Sequence, residues 1–375
     1  MKNTGSNRSG PLRGVRVVEF AGLGPAPFAC MLLADMGADV VRIDRPDAPP
    51  IDARDIVNRS RRTVALDLKA AAGKIQALEL IRHADLLVEG FRPGVMERLG
   101  LGPEAAHALN PGLVYGRMTG WGQDGPLALA AGHDINYIAL AGALSLIGPP
   151  DGSPVPPLNL VGDYGGGSLY LVMGLLAGLL HARATGQGQV VDAAICDGVL
   201  SLLSNNHTHR MQGRFRDQRG SNMLDGGAPY YTTYETADGR HVAIGPIEPK
   251  FFQALCRELG LPESLASLQN DPARWPELHA AIADALRRQT QAYWCAQLEG
   301  TDVCFAPVLS PPEAARHPHI VSRRGFLHVD GVEHTAPAPR FSATPSAIAW
   351  GPTADLMSAQ EVLADWRAPC AQPCP

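Results

Sequence analysis

Hydrophobic and polar positions alternate between two periods along the first half of the chain. Residues 16–20, Arg-Val-Val-Glu-Phe, are a short β-branched apolar run, the pattern of a buried strand. Gly22-Leu23-Gly24-Pro25 turns the chain, and apolar positions from Phe28 to Met36 then recur at helical spacing until Gly37 stops them. A second strand is predicted over 39–43. The cycle repeats with a strand over 63–68, a helix over 70–82, a strand over 85–89, a helix over 94–99 and a strand over 112–118. A long apolar helix over 169–183, a strand over 188–194 and a helix over 197–204 follow. Strands that alternate with helices in this way predict a parallel sheet of the doubly wound kind.

The pattern changes after about residue 205. Polar and basic residues (His209, Arg210, Arg214, Arg216, Arg219) lead into the turn-rich Asp225-Gly226-Gly227-Ala228-Pro229. Residues 230–244 read as a hairpin around Asp238-Gly239, and helices are expected over 249–259, 279–288 and 291–298. Pro/Ala-rich sequence from Thr335 onward carries no clear period, and the last dozen residues are expected to be disordered. The expected organisation is a large α/β domain over 1–200, a linker over 201–224 and a smaller α+β domain over 225–320. A return segment and tail occupy 321–375. There is no internal repeat.

Composition narrows the partners. The 375 residues are 45% hydrophobic and 18% charged with a formal net charge of −5, so no global field favours nucleic acid or an anionic membrane. The longest apolar run, 169–180, is too short to span a bilayer, and the polar start MKNTGSNRSG has no signal-peptide core. No peroxisomal tripeptide closes the sequence. The seven cysteines are odd in number and form no CxxC, so reduced thiols and a cytoplasmic location are expected.

Charge is nevertheless concentrated. Arg42 and Arg45 end the second strand, Arg59, Arg61 and Arg62 precede the third, Lys69 opens the next helix, and Arg92 and Arg98 flank the exit of the fourth strand. Carboxyl ends of parallel strands are where such sheets bind ligands, and arginine there suggests a phosphate-bearing anion; the plainer reading is a solvated face of ordinary ion pairs. Gly22-x-Gly24 with Asp44 resembles half a dinucleotide fingerprint, but the third glycine is missing.

Three acid–base candidates remain. Gly132-His133-Asp134 sets a histidine beside an acid, after the glycine-dense Gly120-Trp121-Gly122-Gln123-Asp124-Gly125-Pro126. Asp163 precedes Gly165-Gly166-Gly167 and the long apolar helix; helix capping explains the acid but not three glycines, which are expected to supply N–H donors to an oxyanion. Glu248 lies between Pro246 and Pro249, where an ordinary first-turn acid would also sit. His207 and His209 lack a third ligand of matching spacing, so no metal is expected, and neither GxSxG nor HExxH occurs.

Taken together, Gly120–Pro126, Gly132–Tyr137, Pro156–Gly167, Gly188–Gly198, Asp225–Pro229 and Gly245–Phe251 make the sequence resemble the α-methylacyl-CoA racemases, a branch of the family III CoA-transferase superfamily. The resemblance runs from Pro11 to about Pro345. It implies a large Rossmann-like CoA-binding domain and a small domain in an interlocked homodimer, with the active site between one subunit's large domain and its partner's small domain. It places the catalytic histidine on His133, the catalytic aspartate on Asp163 and the histidine-orienting glutamate on Glu248. CoA-contacting positions fall on Arg45, Arg59, Lys69, Arg92 and Arg98. Tyr164 stands where an apolar aromatic is usual. The implied reaction is two-base proton transfer at the carbon next to an acyl-CoA thioester, with no cofactor beyond the CoA of the substrate. A CoA-transferase of the same superfamily, in which Asp163 would form an acyl anhydride, and a non-catalytic CoA- or nucleotide-binding module are the alternatives.

Overall fold

The computed structural model describes residues 8–368, which divide into two compact units. The first takes residues up to 141, 158–202 and those from 318 onward; the second takes 142–157 and 203–317.

In the first unit the chain forms β1 (Arg16–Phe20), β2 (Asp39–Asp44), β3 (Arg61–Ala65), β4 (Leu86–Glu89), β5 (Val114–Thr119) and β6 (Val190–Ala194). The second unit holds β7 (Thr232–Glu235), β8 (His241–Ile244) and β9 (Phe305–Pro307). The first unit resumes with a hairpin, β10 (Phe326–Val329) and β11 (Val332–Thr335), and ends with β12 (Leu356–Met357) and the helix Ala359–Arg367. The order β12-β3-β2-β1-β4-β5-β6 is parallel throughout. It is the doubly wound arrangement, with the switch point between β1 and β4. Helices cover both faces, so the inner strands bury residues on both sides and read as continuous apolar runs rather than alternating ones.

β3 starts two residues earlier than its apolar run suggests, because its arginines are neutralised inside the fold. Arg61 donates to both oxygens of Glu19 at 2.5 and 2.6 Å, and Arg62 pairs with Asp39. Residues 142–157 belong with the second unit rather than the large domain: Arg219 donates to the carbonyls of Ser145, Pro149 and Gly152 at 2.9, 2.9 and 2.5 Å. The disorder expected over the last dozen residues gives way at its start to the helix Ala359–Arg367, anchored by buried Trp366, whose indole N–H donates to Asp39 at 2.8 Å. Residues 369–375, including Cys370 and Cys374, lie outside the described residues.

The second unit packs the antiparallel sheet β7-β8-β9 against the helices Pro249–Glu258, Trp275–Leu286 and Gln291–Leu298. Tyr234, Val242, Phe252, Leu278, Ile282 and Trp294 fill its core.

The apolar stretch expected to begin at residue 169 starts earlier. A π-helical segment, Leu160–Ser168, runs directly into the helix Leu169–Thr185, and the continuous piece is long and apolar enough by length and composition to cross a membrane. Half of its most apolar stretch is buried, and the piece packs against β5, β6 and the helix Pro25–Asp35.

Candidate active site

Two cavities open in the first unit over the carboxyl ends of β1 and β4. The larger, about 1020 Å³, is walled by Phe20, Ile43 and Leu66 and rimmed by Arg42, Arg45 and Lys69. The smaller, about 440 Å³, is lined by Gly24, Arg92, Trp121, His133, Tyr137 and Asp163, among others. Leu23 and Phe91 face both.

His133 is the residue preceding the helix Asp134–Leu140, and its backbone N–H donates to the Asn136 side chain at 3.0 Å. That local closure sets the chain direction and leaves the imidazole exposed on the cavity wall. Below it, the Tyr137 hydroxyl donates to the Gly132 carbonyl, and the ring meets Trp121 edge-on at 4.7 Å. The glycine-dense loop thus lies tight against an aromatic pair.

Asp163 sits within the π-helical segment. A π-helical turn bonds five residues along instead of four, and such turns are frequent at functional sites. Its backbone N–H donates to Asp134 Oδ2 at 2.7 Å. The carboxyl is half-buried, and burial raises it above the usual carboxylate range, helped by repulsion from Asp134. A hydrogen bond from Asn159 and the proximity of His133 work the other way. Asp163 can therefore hold a proton over a wider pH range than an exposed aspartate.

The glycines after Asp163 do not have the role the sequence suggests. They lie inside the π-helix, where N–H groups bond to carbonyls five residues back, rather than at a free helix start. Their value is closeness. A Cβ on Gly166 would come within 2.7 Å of Val199 and 3.0 Å of the Ile195 carbonyl, on the helix Ile195–Leu202. One on Gly162 would meet Asp134 Oδ2 at 2.4 Å. An oxyanion at this site must draw its donors from elsewhere on the cavity wall.

The basic positions separate into two groups. Arg45 and Lys69 are exposed on the rim of the larger cavity, Arg92 faces the smaller one, and Arg98 is exposed on the short helix Val95–Leu99. Arg59 is different. It is 1% exposed and donates to Asp35 at 2.9 and 2.6 Å and to the Thr335 carbonyl at 2.8 Å. Its guanidinium is committed to a buried carboxylate, so the expected CoA contact is corrected to a structural ion pair. Glu248 is exposed in the second unit, just before the helix Pro249–Glu258. Among the described residues no three His, Cys, Asp or Glu side chains gather as a metal site would require.

Sequence reasoning passed over Asn159, Asp134, Leu23 and Phe91. Asp134 was visible as an acid beside a histidine, but nothing in the pattern joined it to a residue 29 positions on.

A doubly wound sheet thus sets an imidazole and a half-buried carboxyl in one cavity over its switch point, beside a larger basic-rimmed cavity. The model of CoA-transferase family III matches residues 12–355, and the chain belongs to that family. It is 45% identical to the alpha-methylacyl-CoA racemase of Mus musculus over 337 residues, covering 89% of this chain and 87% of that protein. The Homo sapiens racemase is 43% identical over 336 residues, with coverages of 89% and 87%. Among solved structures, a CAIB/BAIF family protein from Brucella suis aligns with a TM-score of 0.81 and 25% identity, over 96% of this chain and all of that one.

Proposed function

We propose that this chain is an α-methylacyl-CoA racemase, interconverting (2R)- and (2S)-2-methylacyl-CoA thioesters by proton transfer between two bases. The observation that carries the reading is that His133 and Asp163, on separate elements, line one cavity. Inversion at a carbon needs one group on each face of a planar intermediate, one to take the proton and the other to return it. A nucleophilic transferase has need of the carboxylate but no evident use for the imidazole opposite it. The racemase relatives support the same choice.

In this reading the CoA lies along the larger cavity, with its phosphates met by Arg45 and Lys69 at the rim and by Arg98 nearby. The α-carbon reaches the smaller cavity beside Arg92. Fixing the handle holds the reacting carbon between the bases and supplies positioning rather than chemistry. The chemistry uses side chains alone and calls for no cofactor beyond the CoA itself. The enzyme works as an interlocked homodimer, with Glu248 of the partner subunit orienting His133 and favouring its basic tautomer. Exposed Leu160, Leu169, Met173 and Leu180 on the long helix support extensive contact with another chain rather than with water. Five free cysteines among the described residues suit the reducing cytoplasm in which we place it.

Chiral analysis of thioester incubated with His133→Ala, Asp163→Ala or Glu248→Gln enzyme tests the reading. The first two are expected to lose inversion by a factor on the order of 10²–10⁴, the usual worth of a general acid or base. Co-expression of His133→Ala and Glu248→Gln chains should restore activity, since one of the two composite sites then carries both native residues. Full inversion by Asp163→Ala enzyme would reject the two-base site. CoA passing to an added free acid, with a hydroxylamine-sensitive adduct on Asp163 of the native enzyme, would make it a transferase.

A further inference from the structure

The segment leaving β4, Glu89-Gly90-Phe91-Arg92-Pro93-Gly94, is the partition between the two cavities. Phe91 faces both; Gly90, Arg92 and Pro93 face the His133 cavity, and Val95 and Leu99 beyond them face the larger one. A mobile partition would blur both pockets, so what holds it matters.

A charge cluster, buried at Glu89 and half-exposed at Glu97, brackets it at each end. Glu89 is 1% exposed. One of its carboxylate oxygens accepts the Phe91 N–H at 2.8 Å, and the other accepts Nε–H of Arg117, on β5, at 3.0 Å. The far side of the same guanidinium donates to Glu97 on the helix Val95–Leu99, at 2.8 and 3.3 Å. A single arginine thus ties the start of the partition to the helix that follows it. Nothing in the proposed proton transfer uses Glu89, and a buried carboxylate held this way is costly unless all its partners stay in place.

We propose that Glu89 is a positioning residue that sets affinity for the acyl-CoA thioester, by holding Phe91 and Arg92 between the two cavities through the Arg117–Glu97 bracket. The ionised carboxylate receives both donors as charge-assisted bonds. Once protonated, it loses the ion pair with Arg117, and the bracket is left with Glu97 alone. Burial pushes the Glu89 carboxyl up to about 7, against the pull of the Phe91 N–H and Arg117 and with the Glu97 charge adding to it. Tyr115 on β5 also feels the Glu89 charge, and its own burial keeps its phenol neutral; Asp192 on β6, paired in register with Arg117, is raised by burial against the pull of that guanidinium. Glu89 is therefore ionised above about pH 7 and protonated below, and thioester affinity weakens as pH falls through that value. The racemase reading enters only in the choice of ligand.

The test is the Kd of 2,2-dimethylpropanoyl-CoA, which has no α-hydrogen and cannot turn over, measured by calorimetry from about pH 6 to about pH 8. The native enzyme should bind several-fold more weakly at the acid end. Glu89→Gln should bind weakly throughout and lose the part of the pH dependence that belongs to Glu89, while kcat at saturating 2-methylacyl-CoA is retained. Every other group of protein and ligand is common to the two measurements, so the difference between the two curves isolates Glu89. Glu97→Gln, at a half-exposed position, should weaken binding and move the pH dependence to lower pH, since the Glu97 charge helps raise the Glu89 carboxyl, and it carries the test if the buried variant fails to fold. A Glu89→Gln or Glu97→Gln enzyme with the native Kd and pH dependence, or one that loses kcat at unchanged Kd, overturns the proposal. Native enzyme that binds the analogue as described but never inverts a substrate would remove the racemase reading and leave the Glu89 assignment standing.

Discussion

At the residue scale the two proposed bases sit in unlike surroundings. His133 is exposed on the cavity wall, whereas Asp163 is half-buried with Asp134 close by. Burial first and Asp134 second hold the Asp163 carboxyl above the ordinary carboxylate range. For the enantiomer whose proton Asp163 removes, the ionised form is required, so kcat/KM falls as pH drops through that raised value. Asp134→Asn keeps an oxygen for the Asp163 N–H but removes the repelling charge. The acid limb of the pH–kcat/KM profile should therefore move to lower pH in that variant. An unmoved limb would mean that Asp163 is not the group being titrated. Arg59 teaches a different lesson at this scale. Its sequence position matches a ligand-binding arginine, yet a carboxylate 24 residues earlier claims it, and no local pattern reveals such a pairing.

At the scale of elements, the π-helical segment is the part of the fold that local reasoning read least well. Three glycines before an apolar helix suggested a free N-terminus, because the first N–H groups of a helix have no partner within it. At Gly166 the physical reason lies in another element, the helix Ile195–Leu202, whose Val199 side chain a Cβ would meet at 2.7 Å and whose backbone it would meet at 3.0 Å. Gly166→Ala inserts a methyl group against Val199 and the Ile195 carbonyl, and overpacking of this kind costs about 1–3 kcal/mol. A lowered Tm with racemisation falling in parallel is the expected result; a native Tm would show that the contact relaxes freely. The strands and helices of the sheet were legible, because burial on both faces makes their apolar runs continuous and glycines punctuate them. β1 was read to its exact ends and β4 to within a residue. The short helix Pro103–Leu109, the hairpin of β10 and β11 and the strand β12 were not, since each is brief and owes its place to distant partners rather than to its own period.

At the scale of the whole molecule, two units were anticipated, but residues 142–157 were not expected to join the second, because Arg219 recruits them from far along the chain. The acid–base pair was legible only in part. His133 and Asp163 stood out through the glycines around them, and resemblance supplied their roles. That they face a common cavity is a property of the sheet, which brings residues 30 apart in sequence to one crevice. His133 and Asp163 are proposed to act on opposite faces of one carbon. A single-enantiomer 2-methylacyl-CoA in deuterated water, followed for α-deuterium and for handedness together, tests it most directly. Two bases predict that deuterium appears with inversion from either starting enantiomer, and that the two thioesters approach equal amounts. Optical purity retained without deuterium uptake, in enzyme that binds the thioester, would contradict the account.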